Sequence, residues 1–144
     1  MNQLKFQYYK VAFISIKRST LRGTYNNAKP ILLLSIIDGI ENGLIKDNVI
    51  CYSQELQAAY NTNATKYSKT NNTPLLYPYY YLNSDGFYHL EGMQKELRLV
   101  KTPSIKYLQE NVRYARFDNA LWDLLQDSES RQALREVIIK HFLT

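Results

Sequence analysis

Tyr77-Pro78-Tyr79-Tyr80-Tyr81-Leu82, followed by Asn83-Ser84-Asp85-Gly86 and then Phe87-Tyr88-His89-Leu90, is the stretch on which the fold turns. Aromatic residues favour a half-buried pleated surface, and Ser-Asp-Gly between two aromatic runs is a hairpin signal. The reading therefore predicts two short strands joined by a tight turn. Pro78 cannot donate to a sheet ladder, so it must lie at a strand start or on an edge. A pyrrolidine ring among phenol rings is a rigid apolar surface with hydroxyl tips. It suits core packing, expected for Tyr79 and Tyr88, or a recognition face.

Around this stretch the periodicities are helical. Leu4, Phe6, Tyr8, Val11, Ile14 and Leu21 recur at roughly helical spacing, with Lys10, Lys17 and Arg18 between them, and Gly23 closes that segment. Pro30 suits a first helical turn, where its missing N–H would be unpaired anyway. From Ile31 to Ile40 the next helix is apolar nearly all round, which predicts a central buried helix ended by Gly43. Asn48–Tyr52 reads as a short strand holding Cys51. Ser53 reads as the N-cap of a helix through Leu56, Ala59 and Tyr60, and residues 61–73 as a polar loop. Thr102-Pro103 opens a further helix, Asp118 caps a turn with Leu121, Trp122 and Leu125, and Ser128 starts a last helix. Ala133, Leu134, Val137, Ile138 and Phe142 of that helix face inward. The predicted class is α+β: one mainly helical domain spanning residues 1–144, with a small antiparallel hairpin.

A chain of 144 residues can bury a core without disulfides or metals. Its single cysteine excludes a disulfide framework, reads as a buried inert thiol, and fits a reducing cytoplasm. No apolar run reaches membrane-spanning length, and no signal-peptide pattern opens the chain, so a soluble cytoplasmic protein with no membrane partner is expected. The formal net charge is +5, and its distribution carries more than its size. Lys10, Lys17, Arg18, Arg22 and Lys29 precede the first acid, Asp38. Lys95, Arg98, Lys101, Lys106, Arg113 and Arg116 follow the aromatic stretch. Two basic groups flanking an aromatic surface form a candidate anion-binding face, against the plainer reading of solvated helix surfaces. Lys29 stands at a helix entrance, where free backbone N–H groups already favour an anion.

The catalytic inventory is thin. His89 and His141 lie far from each other and from Cys51, no His/Cys cluster has metal-ligand spacing, and no glycine-rich phosphate loop occurs. A binding module is expected rather than an enzyme, with no catalytic residues, metal or cofactor.

Ala28-Lys29-Pro30-Ile31-Leu32-Leu33-Leu34, the aromatic stretch through Leu90, and Leu121-Trp122-Asp123-Leu124-Leu125-Gln126-Asp127 together resemble the N-terminal domain of a bacterial HNH endonuclease family. Related domains in phosphorothioate-dependent type IV restriction endonucleases are known as sulfur-binding domains. The similarity runs through essentially the whole chain in motif order. It implies an α+β unit, mostly helical, that reads double-stranded DNA as part of bacterial defence. The HNH module that normally follows is absent from these 144 residues. A separate nuclease partner or a homodimer would then complete the system.

In such domains a Tyr-Pro pair helps form a shallow apolar pocket for the sulfur of a backbone phosphorothioate. The resemblance places that pair at Tyr77 and Pro78, with Tyr81, Ala28 and Lys29 beside them and a second basic position at Lys101 or Lys106. Arg22, Lys66 and Lys69 are candidate phosphate contacts. A phosphate oxygen loses hydration heavily in an apolar site, whereas sulfur is a softer, weaker acceptor. One unmet polar group, at about 1–3 kcal/mol, gives tenfold to hundredfold discrimination. Two departures stand out: the family's His-Arg-Pro or His-Lys-Pro triplet is Ala28-Lys29-Pro30 here, and Tyr81 replaces a small residue, so its ring fills the pocket, points away from it, or lines a reshaped one. The alternative function is a protein-interaction or regulatory subunit that uses the tyrosine hairpin as its interface.

Overall fold

A computed structural model describes residues 2–68 and 73–144, with Leu21 described by its backbone alone. In chain order the elements are α1 (Gln3–Ile14), β1 (Thr20–Leu21), β2 (Thr24–Tyr25), α2 (Ala28–Glu41), α3 (Gln54–Tyr67) and α4 (Leu76–Tyr81). A 3₁₀ turn (Leu82–Asp85), β3 (Tyr88–Gly92), α5 (Ile105–Asn111), β4 (Val112–Phe117), α6 (Asn119–Gln126) and α7 (Ser128–Phe142) complete the chain. The class is α+β and mainly helical, and β1–β2 and β3–β4 are both antiparallel pairs.

Helix α2 is the hub. Ile31 to Ile37 are buried without a break because α3, α4, α6 and α7 pack around it. A helix covered on all sides needs no polar stripe, and its sequence shows none. The buried polar residues near it are paired. Ser35 donates to the Ile31 carbonyl at 2.7 Å, and Asn63 of α3 donates to Ser35 Oγ and Asp38 Oδ2 at 3.1 and 3.0 Å. That explains why α3 runs to Tyr67 through a stretch whose composition predicted a loop: Asn63 is an inward hydrogen-bonding residue.

The aromatic stretch is where the fold departs most from expectation. Tyr77–Leu82 and Phe87–Leu90 do not form a hairpin. Leu76–Tyr81 is a short helix, entered through Tyr77 N–H to Pro74 O at 3.1 Å and Tyr79 N–H to Leu75 O at 3.0 Å. Pro78 falls in its first turn, where an N–H is not required. Asn83-Ser84-Asp85 continues as the 3₁₀ turn, and Gly86 ends it at φ +92°, a conformation glycine adopts without Cβ strain. Strand β3 then pairs with β4, in the register Tyr88↔Phe117, His89↔Arg116 and Leu90↔Ala115.

The helical assignment is enforced by distant partners. Tyr79 OH donates to the Ile50 carbonyl at 2.7 Å, and Tyr88 OH to the Tyr79 carbonyl at 2.6 Å. Tyr80 OH donates to the Val100 carbonyl at 2.6 Å and accepts its N–H at 2.7 Å. Burial holds the Tyr79 and Tyr88 hydroxyls far above the usual phenol range.

Smaller corrections follow from the same cause. Helix α1 ends at Ile14; of the residues expected to continue it to Leu21, 15–19 are irregular and Thr20–Leu21 form the first strand of the β1–β2 hairpin. Arg22 at φ +54° and Gly23 at φ +78° supply the two left-handed positions of its tight turn. On α1 the inward residues are Tyr9 and Phe13, while Leu4, Tyr8 and Val11 face outward. Cys51 is exposed, not buried: Ile50 turns inward and bridges Ala115, so its neighbours Val49 and Cys51 face the other way. Helix α5 is capped by Ser104, beyond Thr102-Pro103, and α7 by Asp127, which accepts the Ser130 N–H at 2.9 Å. Asp118 precedes α6 but gives its side chain elsewhere. It accepts Tyr9 OH at 2.9 Å and lies 2.6 Å from His89 Nε2. Leu134, Ile138 and Phe142 of α7 are buried; Ala133 and Val137 are half-buried.

Candidate nucleic-acid interface

Three segments meet at one cleft. Because α4 is a helix, Tyr77 and Tyr81 lie one turn apart on the same face, with Pro78 beside them. The start of α2 brings Ala28 and Lys29, and the α1–β1 connection brings Lys17, Arg18 and Ser19. The cleft encloses about 80 Å³, room for a few water-sized groups and too little for a base.

The Tyr81 ring does not close it. Its plane lies 11° from that of Tyr77 with centroids 6.5 Å apart, and it meets Tyr80 edge-on at 5.3 Å. Its hydroxyl donates to the Lys101 carbonyl at 2.6 Å. The ring is thereby held as a wall, 37% exposed. Pro78 and Ala28 are buried beneath and Tyr77 is half-buried. On this side the surfaces offered are π faces, a pyrrolidine ring and a methyl group, while Ser19, Asn26 and Thr73 line the rest.

The charges are arranged unequally. Lys29 Nζ lies 2.7 Å from Asp85 Oδ2 in an ion pair whose side chains are 14% and 2% exposed. The other Asp85 oxygen accepts the Lys17 N–H at 2.8 Å. The Lys17 side chain is exposed, its Nζ 3.4 Å from the Ser84 carbonyl. Arg18 is clamped with its guanidinium carbon 4.0 Å from the Tyr25 ring centroid and 4.6 Å from that of Phe142, while one nitrogen donates to Asn27 Oδ1 at 2.8 Å. Burial lowers the pKa of Arg18, but a guanidinium starts so high that it stays charged. Stacking between two rings fixes its direction at little entropic cost.

The cleft therefore assembles Tyr77, Pro78, Tyr81, Ala28 and Lys29 from the expected site residues. The other candidates lie elsewhere. Lys101 is exposed on the irregular segment after β3 and reaches the cleft only through its carbonyl, held by Tyr81. Lys106 sits on α5, 3.9 Å from Glu110. Arg22 is at the tip of the β1–β2 turn. Lys66 ends α3 with its amine 5.1 Å from the Tyr67 ring centroid. Lys69 lies outside the described residues. Sequence reading missed Asp85 as the partner of the cleft residues Lys29 and Lys17, and named Lys17 and Arg18 only as members of a basic run. The available signal was the absence of any acid before Asp38, which left the run without a local partner.

Such a cleft has the chemistry of a seat for a small, weakly hydrated part of an anion. Its apolar wall of Tyr77, Pro78, Ala28 and Tyr81 offers no donor apart from hydroxyl tips, Ser19, Asn26 and Thr73 add polar side chains to the lining, and its rim is cationic. Among the described residues no group of three or more His, Cys, Asp or Glu side chains is placed to hold a metal ion, and no helix is long and apolar enough to cross a membrane.

No protein-family model matches the chain, and no curated protein matches it in sequence. Among solved structures it superposes on one described as the sulfur binding domain and SRA domain of ScoMcrA complexed with phosphorothioated DNA, with a TM-score of 0.72. The match covers 93% of this chain and 42% of that one, at 17% sequence identity. The present chain thus spans less than half the length of its structural counterpart. At that identity the likeness is one of architecture: helices α1–α7 and their small antiparallel pairs are built on a fold shared with part of a protein solved on phosphorothioated DNA.

Proposed function

We propose that this chain is a DNA-backbone reader that seats the sulfur of a phosphorothioate linkage in the Tyr77–Pro78–Ala28–Tyr81 cleft. The observation that carries the reading is the coincidence of two things. The chain shares its fold with part of a protein solved on phosphorothioated DNA, and it has an apolar cleft of sulfur-accommodating size at the residues that resemble the family's Tyr-Pro pair. We read the matched part of that protein as its sulfur-binding domain.

Selectivity comes from the apolar wall of Pro78, Ala28 and the ring faces, where no donor meets the seated atom. An oxygen entering the cleft gives up hydration without replacement, and a sulfur gives up less. Lys17 and Arg18 at the rim supply attraction to neighbouring phosphates, which raises affinity for any duplex without distinguishing linkages. In a bacterial cytoplasm such a reader serves restriction, with cutting done by a nuclease module outside these residues, on a partner or in a dimer. The rival reading, a protein interface centred on the tyrosines, gains less support. The hydroxyls of Tyr79, Tyr80 and Tyr81, which an interface would use, are engaged within the chain.

The test is a pair of binding titrations with duplexes that differ by one sulfur, each at several salt concentrations. Tighter binding of the modified duplex, with steep salt dependence for both, is expected. Equal binding of the two duplexes would sink the sulfur reading, and salt-independent or absent binding would sink the DNA reading as well.

A further inference from the structure

We infer that Asp85 determines the specificity of this cleft: by holding the Lys29 ammonium in a buried ion pair, it withholds a donor that would otherwise attract ordinary phosphate oxygen into the sulfur seat. The inference rests on the sulfur-reading function proposed above.

Asp85 is the last residue of the 3₁₀ turn, and its side chain is 2% exposed. Both carboxylate oxygens are engaged, Oδ2 by Lys29 Nζ at 2.7 Å and Oδ1 by the Lys17 N–H at 2.8 Å. For Lys29 to turn to a phosphate, it must leave behind a buried carboxylate with no counter-ion, which costs more than one exposed phosphate contact returns. Lys29 therefore walls the cleft with its alkyl stem and adds no net charge to it. The cationic rim is left to Lys17 and Arg18, whose side chains pair with no carboxylate among the described residues.

The chemical consequence is directional. An ammonium in the seat favours oxygen over sulfur, because oxygen is the harder and stronger hydrogen-bond acceptor. Masking the ammonium removes that advantage and leaves desolvation to choose. Asp85 is thus a positioning residue that raises selectivity by lowering affinity for unmodified DNA.

The experiment uses the full chain with D85N, K29Q/D85N and, as a control for net charge, E55Q on the exposed start of α3. Asparagine keeps an oxygen for the Lys17 N–H. Binding to plain and phosphorothioate duplexes of one sequence is followed against salt, with thermal melts to establish folding. D85N should steepen the log–log salt slope on plain duplex by about 0.9 and raise plain-duplex affinity roughly fivefold to tenfold near 0.1 M salt. The modified-to-plain preference should fall. Adding K29Q should abolish the steepening, and E55Q should not produce it. A D85N slope equal to or shallower than that of the wild-type chain overturns the inference. So does a K29Q/D85N slope about 0.9 shallower than wild type, which would place Lys29 on a phosphate from the start. If D85N alone does not fold, the double variant, a neutral hydrogen-bonded pair, decides by the same criterion. If the unmodified chain binds both duplexes alike, the sulfur reading fails, and the plain-duplex slopes still decide the role of Asp85.

Discussion

Replacing Ala28 with leucine tests whether the cleft is the seat of selectivity. Ala28 opens α2 and is buried among the residues lining a cleft of about 80 Å³. Leucine adds three carbons, each roughly the size of a water, whose share of liquid volume is about 30 Å³. Together they intrude on the space beside Pro78 and the two rings. The helix itself is not at risk, since leucine is nearly as good a helix former as alanine. If the ring walls cannot move apart, crowding costs about 1–3 kcal/mol of stability, which a thermal melt reads separately from binding. The preference for sulfur rests on one unmet polar group worth about 1–3 kcal/mol, roughly tenfold to a hundredfold at about 1.4 kcal/mol per factor of ten. A28L should bring that ratio close to one. Affinity for the plain duplex should change little, because Lys17 and Arg18 approach from the rim. Fluorescence anisotropy with two duplexes differing by one sulfur, at matched salt, is the assay. A folded A28L that still prefers the modified duplex as strongly as wild type would refute the placement of the sulfur.

Arg18→Ala should weaken binding to both duplexes alike and make the salt slope shallower by about 0.9, as expected for one lost phosphate contact; a loss confined to the modified duplex would contradict the assignment of Arg18 to the rim. Tyr81→Phe keeps the ring against Tyr77 and removes only the 2.6 Å bond to Lys101. It should cost about 0.5–1.5 kcal/mol in denaturant unfolding and speed amide exchange around residues 98–101, and unchanged exchange would show that the segment is held without it. Burial raises the pKa of Tyr9, Tyr60, Tyr79 and Tyr88 above the usual phenol value, with the Asp118 hydrogen bond adding to it at Tyr9. The unfolded chain then loses these protons first as pH rises, so stability should be flat below about pH 9.5 and fall above about pH 10. Unfolding curves across that range, read with tyrosinate absorbance, check it; full ionisation of these phenols in a still-folded chain would contradict the burial argument.

The candidate site was partly legible in the sequence. Tyr77, Pro78, Tyr81, Ala28 and Lys29 were singled out from two stretches nearly fifty residues apart, and the structure brings them to one cleft. Asp85 was visible only as a turn residue. Its meeting with Lys29 depends on the end of the 3₁₀ turn docking at the entrance of α2, a juxtaposition that no local pattern encodes. Lys101 and Lys106 were candidates by their place after the aromatic stretch. Their positions depend on the irregular segment between β3 and α5, which is tied down by Tyr80, Tyr81 and the Tyr107 hydroxyl on the Arg98 carbonyl.

What the sequence determined by itself was whatever a short window can express. The apolar run from Ile31 to Ile37, interrupted only by Ser35, requires a helix covered on every side, and Ser53 caps α3 through its own hydroxyl, 3.1 Å from the Leu56 N–H. The mainly helical class follows from such windows. What only the tertiary structure decided was the state of Leu76–Tyr81. Strand preference for tyrosine amounts to fractions of about 1 kcal/mol per residue and depends on packing context. Burying the rings of Tyr79 and Tyr80 and satisfying their hydroxyls at Ile50 and Val100 outweighs it several times over. The helix wins because its partners lie 20 or more residues away, and the turn spacing it imposes is what sets Tyr77 and Tyr81 side by side over the cleft.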